Sequence, residues 1–155
     1  MGLWLLGLGI DQLTKLWALA ELEVGDSTEL IPRLLRLTLI FNPGAAFGMG
    51  ESATLIFTIF AIVATLACLF IFLPRVTKAW QAIALGLLLA GITGNLVDRL
   101  FQPPAAFHGH VVDFLQVPGF AIFNFADMCI TVGAGLVILA SFFDKPEEAE
   151  EAASA

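Results

Sequence analysis

Four long apolar runs constrain this chain more than any other feature. They cover approximately residues 2–20, 53–73, 80–97 and 120–143. Each approaches the roughly 20 residues that an α-helix needs to cross a hydrocarbon core about 30 Å thick. In lipid every backbone N–H and C=O must be paired internally, and the runs lack the alternation of barrel strands, so each is expected as a helix. Composition agrees: 59% of the 155 residues are hydrophobic, 14% are charged, and the mean hydropathy is +0.91. A soluble domain carries about 25% charged residues, so this chain lacks the polar surface to cover a globule. The expected class is an all-α integral membrane protein, a bundle of four transmembrane helices. A net charge of −7 with only seven Lys and Arg gives no basic face for nucleic acid. Cys68 and Cys129 both lie inside apolar runs and read as buried thiols.

The first run has no Lys or Arg ahead of it and is interrupted by Asp11 and Lys15, the reverse of a cleaved leader, so it reads as a retained helix. Residues 1–143 read as one membrane domain without internal repeats, and the acidic tail 144–155 as disordered. Two long connections, 21–52 and 98–119, fall on the face opposite the termini. In the first, Leu34–Phe41 has strand-like composition but poor two-residue alternation, which suggests a small sheet or an interfacial segment. The short loop with Arg75 and Lys78 favours cytoplasmic termini by the positive-inside rule.

Ionisable residues inside membrane helices are costly and mark functional candidates. Asp11 and Lys15, four apart, share a helix face, and a structural ion pair outweighs a catalytic role. Asn95 and Arg99 also share a face. They could donate to one bound group, or Arg99 could snorkel to the headgroups; spacing leaves both open. Asp98, beside Arg99, reads as ionised and structural. Asn124, Asp127 and Thr131 form a polar stripe without a cation, so Asp127 needs either a proton or a partner. Asp113, in Val111-Val112-Asp113-Phe114, approaches from the same side, and two carboxyls sharing a proton can drive the attack of water on a carbonyl without a metal. The alternative for this pair is a hydrogen-bonded interhelical contact. No HExxH or GxSG motif is present, His108 and His110 read as solvated loop residues, and Gly44 by spacing alone reads as an ordinary turn residue. A small proton-coupled exporter or a membrane scaffold is a weaker alternative, since neither needs an Asn-Pro-Gly surface loop or a second acid arriving from a loop.

Five blocks in order carry a resemblance: Asp11-Gln-Leu-Thr-Lys15, Phe41-Asn-Pro-Gly-Ala-Ala-Phe-Gly48, Gly94-Asn-Leu-Val-Asp-Arg99, Val111-Val-Asp-Phe114 and Phe123-Asn-Phe-Ala-Asp127. Together they resemble the lipoprotein signal peptidases (signal peptidase II), aspartyl peptidases of bacterial inner membranes. The resemblance implies that Asp113 and Asp127 are a catalytic dyad. It places Asn42, Gly44, Asn95, Arg99 and Asn124 in the substrate site, and Asp11 and Lys15 in structural roles. It implies a four-helix membrane bundle with a small extracytoplasmic β-sheet, a mobile extracytoplasmic helix over the site, and cytoplasmic termini. It also implies a diacylglyceryl prolipoprotein substrate cleaved just before the lipidated cysteine, contact with membrane lipid, inhibition by globomycin-type peptides, a monomer, and neither metal nor cofactor. Relative to familiar members, the stretch from Arg99 to Asp113 is long and that from Asp113 to Asp127 short.

Overall fold

The computed structural model describes residues 1–44 and 50–143; the acidic tail and residues 45–49 lie outside the described residues. Helix α1 spans Gly2–Glu21, α2 Gly50–Ala67, α3 Ala79–Phe101 and α4 Phe125–Phe143. Beyond Ala67 the second helix continues through a π-helical turn, Cys68–Phe72, and a 3-10 turn, Leu73–Arg75. Strands β1 Ser27–Ile31, β2 Leu35–Asn42, β3 Val111–Gln116 and β4 Ile122–Phe123 form one antiparallel sheet in the order β1-β2-β3-β4.

Among the described residues, three helical segments are long and apolar enough to cross a membrane: Thr54–Arg75, Ala79–Phe101 and Phe125–Phe142. Helix α1 carries Asp11, Gln12 and Lys15, but Asp11 and Lys15 are buried, while Leu5, Leu6, Leu13 and Leu16 are exposed. Its polar residues therefore serve the inside of the bundle, and its leucines form an apolar outer face suited to lipid.

The sheet caps one end of this bundle. Leu37, Leu39, Val112 and Phe114 pack on Ala18 of α1, and the Trp17 ring meets Phe114 edge-on. The poor alternation of Leu34–Phe41 has a structural cause. β2 pairs Leu37 with Leu115 but Ile40 with Asp113, so one extra residue is accommodated in β2. Leu37, Thr38 and Leu39 are consequently all buried. Past the bulge, Asn42 comes to lie diagonally across the ladder from Asp113.

Two expected boundaries shift. The apolar run predicts a helix from residue 120, but Ile122 and Phe123 pair with β3 and α4 begins only at Phe125. Asn124 sets that start: its Oδ1 accepts the Asp127 N–H at 3.0 Å, and Asp127 Oδ2 accepts the Asn124 N–H at 3.2 Å. This reciprocal cap satisfies two backbone donors that an unopened helix end leaves free. At the other boundary, α3 runs on to Phe101, which places Asp98 and Arg99 inside its last turn rather than in a loop. Among the described residues, neither connection contains a helix over the site.

Lys15 is the buried centre of the bundle's sheet end. Its Nζ lies 3.0 Å from Asp11 Oδ2, 2.8 Å from Asp98 Oδ2 and 3.0 Å from Asn95 Oδ1. Asp98 therefore pairs with Lys15 across the bundle, not with its neighbour Arg99. A side chain at residue 94 would occupy this space: a Cβ on Gly94 would stand 2.5 Å from Asp11 Oδ2. Replacing Lys15 by Met leaves two buried carboxylates without their cation, and the expected cost is about 3–5 kcal/mol. Thermal unfolding in detergent checks this; a Tm unchanged from wild type would show that the cluster does not hold the fold.

Candidate active site

The site forms where the sheet meets the ends of α3 and α4. Two acids reach it by different routes. Asp113 is the third residue of β3 and is 1% exposed; Asp127 sits in the first turn of α4 and is half-buried. Both elements are fixed by the Lys15 cluster. Asp98 Oδ2 accepts the N–H of Val112, the residue before Asp113, at 3.1 Å. Asp11 Oδ1 accepts the N–H of Ala126, the residue before Asp127, at 2.9 Å. One lysine and two structural acids thus position each candidate acid through its immediate backbone neighbour.

Three asparagines hold the carboxyls. Asn42 Nδ2 donates to Asp113 Oδ2 at 2.8 Å, and Asn124 Nδ2 donates to Asp113 Oδ1 at 2.6 Å. Asn95 Nδ2 donates to Asp127 Oδ1 at 2.8 Å. The amide orientations follow from their other partners. Lys15 has only N–H groups to offer, so Asn95 must turn its oxygen to the ammonium and its NH2 to Asp127. The Gly44 N–H donates to Asn42 Oδ1 at 2.8 Å, which leaves the Asn42 NH2 for Asp113. Gly44 is required here on two counts: its φ is +84°, and a Cβ would lie 2.6 Å from the Phe57 ring. The turn at Asn42-Pro43-Gly44 is therefore part of the site's construction.

Burial pushes the Asp113 carboxyl up to about 6, against the lowering effect of the Asn42 hydrogen bond, and the nearby Asp127 charge adds to the rise. Arg99 stands beside the pair. Its Nη1 donates to the Asn95 carbonyl at 3.2 Å and its guanidinium lies 5.9 Å from the centre of the Phe57 ring, while its buried Nε has no hydrogen-bond partner among the described residues. Thr131 does not extend the polar stripe into the site; its hydroxyl donates to the Asp127 backbone carbonyl at 2.8 Å. His108 Nδ1 contacts the Ala106 carbonyl in its own loop at 3.2 Å.

Sequence reasoning missed Thr54 and Thr58. Both are buried on α2, where Thr54 donates to the Pro43 carbonyl at 2.7 Å and Thr58 to the Phe107 carbonyl at 2.9 Å. They pin the two connecting loops beside the acids. Two hydroxyls four apart in an otherwise apolar run were the available signal.

Over residues 3–143 the chain matches the family described as Signal peptidase (SPase) II. The chain belongs to that family. It is 43% identical over 131 residues to the lipoprotein signal peptidase of Leifsonia xyli subsp. xyli, covering 84% of this chain and 60% of that protein. With the lipoprotein signal peptidase of Streptomyces coelicolor it shares 45% identity over 137 residues, covering 86% of this chain and 65% of the relative. The chain thus spans 60–65% of the length of these two relatives. A solved bacterial membrane enzyme superposes with a TM-score of 0.81 at 33% identity, covering 94% of this chain and 90% of the other. This signal peptidase II family member is accordingly a multi-pass bacterial membrane protein.

The raised Asp113 carboxyl has a consequence for stability. Because its folded value of about 6 exceeds the ordinary 3.8, the native state binds more protons than the unfolded chain between those pH values. Stability then falls as pH rises through that window, by at most about 3 kcal/mol, and Asp113→Asn removes the effect. The Tm of the variant relative to wild type is expected to rise between pH 4 and pH 8. A difference that stays constant over that range would contradict the buried carboxyl's titration.

Proposed function

We propose that this chain is an intramembrane aspartyl endopeptidase that removes the signal peptide from diacylglyceryl-modified prolipoproteins, cutting just before the lipidated cysteine. The observation that carries the proposal is the convergence of Asp113 and Asp127, delivered from a strand and a helix start onto one asparagine network in which Asn124 bonds to both. Family membership supports the substrate class.

The chemistry follows from the environments of the two acids. Asp127, half-buried and accepting two N–H bonds, acts as the ionised base and takes a proton from water as its oxygen attacks the scissile carbonyl carbon. Asp113, raised by burial, is the acid that gives its proton to the carbonyl oxygen. Collapse of the resulting gem-diol breaks the C–N bond, and a proton passes to the departing cysteine nitrogen. Atoms and charges balance without a metal or cofactor. The Nε–H of Arg99, without a partner among the described residues, provides a donor for a substrate backbone carbonyl entering beside Phe57. Asn42, Gly44, Asn95 and Asn124 orient the dyad and line the cleft.

A substrate anchored by its diacylglyceryl group sits at the membrane surface, and the dyad lies where helices end and the sheet begins, so water and scissile bond can meet there. On this reading the site faces the extracytoplasmic side and both termini are cytoplasmic. On the same reading, which follows the family resemblance, the chain acts as a monomer.

The test is signal-peptide release from a diacylglyceryl prolipoprotein by the detergent-purified protein. Asp113→Asn and Asp127→Asn are each expected to lower the rate by at least about 10²-fold, and globomycin to block the wild type. Near wild-type cleavage by either variant would overturn the dyad. Absence of cleavage by folded wild type, on a substrate that another signal peptidase II cuts, would overturn the activity.

A further inference from the structure

At the end of the bundle away from the dyad, the second helix, α3 and α4 enclose a cavity of about 270 Å³ that the proposed chemistry does not use. Its wall includes the buried Cys68, Ala84 and Leu85, and it reaches the outer surface at Phe72, Arg75 and Val137, all of them exposed. Trp80, also in the wall, precedes Asn95 by about 22 Å along α3, at about 1.5 Å per residue. Phe72, Arg75 and Val137 lie within segments long and apolar enough to cross a membrane, so the opening meets lipid. A cavity with such walls does not attract water. Hydrocarbon is the occupant at hand.

Two further observations narrow the ligand. The helix wall is wound as a π turn over Cys68–Phe72, the stretch that contributes Cys68 and Phe72 to the cavity. Such turns displace side chains from the ordinary helical rows and recur at binding sites. Arg75 closes that segment at the membrane boundary. Its guanidinium folds back to donate to the Ile71 carbonyl, and among the described residues no carboxylate pairs with it. A cation at the opening of an apolar cavity, at headgroup depth, suits a molecule with a phosphate at one end and an acyl chain at the other.

We propose that this cavity is a binding site for an anionic phospholipid, with one acyl chain between the second helix, α3 and α4 and its phosphate on Arg75. The sequence after α4, residues 144–155, is rich in Glu and Ala and supplies no long apolar side chain for such a cavity. A lipid supplies both the chain and the charge.

Trp80 provides the probe. With Trp4→Phe and Trp17→Phe it becomes the sole tryptophan, and the protein is reconstituted into vesicles of phosphatidylcholine and phosphatidylglycerol in which one or the other carries brominated chains. At equal mole fraction, brominated phosphatidylglycerol is expected to occupy the site at least threefold more than brominated phosphatidylcholine, read from Trp80 quenching. Arg75→Gln should remove that preference and Arg75→Lys should keep it. Equal quenching by both lipids in the parent, or a preference that survives Arg75→Gln, would reduce the cavity to ordinary lipid contact and overturn the site. A preference seen only after deletion of residues 144–155 would assign Arg75 to the tail, and would also overturn it. The readout does not involve peptide cleavage, so it stands or falls separately from the proposed activity.

Discussion

Everything near the site depends on one buried ammonium. Lys15 bridges Asp11 and Asp98 within the bundle, and each of those acids uses a further lone pair on a backbone N–H of another element: Ala126 in α4 and Val112 in β3. Charge compensation and positioning are therefore one arrangement. A carboxyl left without a partner at this depth is costly to bury. With the lysine donating to both carboxyls, the helix start and strand that carry Asp127 and Asp113 are held to the same point.

The asparagines extend this control to the two candidate acids. An amide has a donor end and an acceptor end, and here the acceptor ends of Asn42 and Asn95 are each claimed by a group that can only donate, the Gly44 N–H and the Lys15 ammonium. Their donor ends must then face Asp113 and Asp127. Asn124 has three tasks at once: it caps α4, donates to Asp113 and donates to Asn95 Oδ1 at 3.0 Å. The network leaves few alternative arrangements, as suits a site that must hold two acids close together without letting them pair with something else.

How much of this was legible in the chain depended on whether a feature was local. The helices were legible because span-forming hydrophobicity is a property of a contiguous run. Their ends were not: the start of α4 was displaced from residue 120 to Phe125 because a side-chain cap and strand pairing, both invisible to hydropathy, decide it. The sheet was half legible. Its strand composition showed in Leu34–Phe41, but the bulge that buries Leu37, Thr38 and Leu39 together erased the alternation that would have confirmed it. The pairing of Asp11 with Lys15 could be read from four-residue spacing, whereas that of Lys15 with Asp98 could not.

By itself the sequence determined a membrane bundle, the acids and amides too costly to be there without a purpose, and, through five ordered blocks, the family. Only the tertiary structure decided that Asp98 serves Lys15 and not Arg99, that Asn124 caps a helix instead of lying along it, that Thr54 and Thr58 pin the loops, and that a lipid-facing cavity opens beside Arg75. The physical reason is range. Burial of a span in lipid depends on its own residues, while a buried polar group takes whichever partner the docking of distant elements brings within about 3 Å.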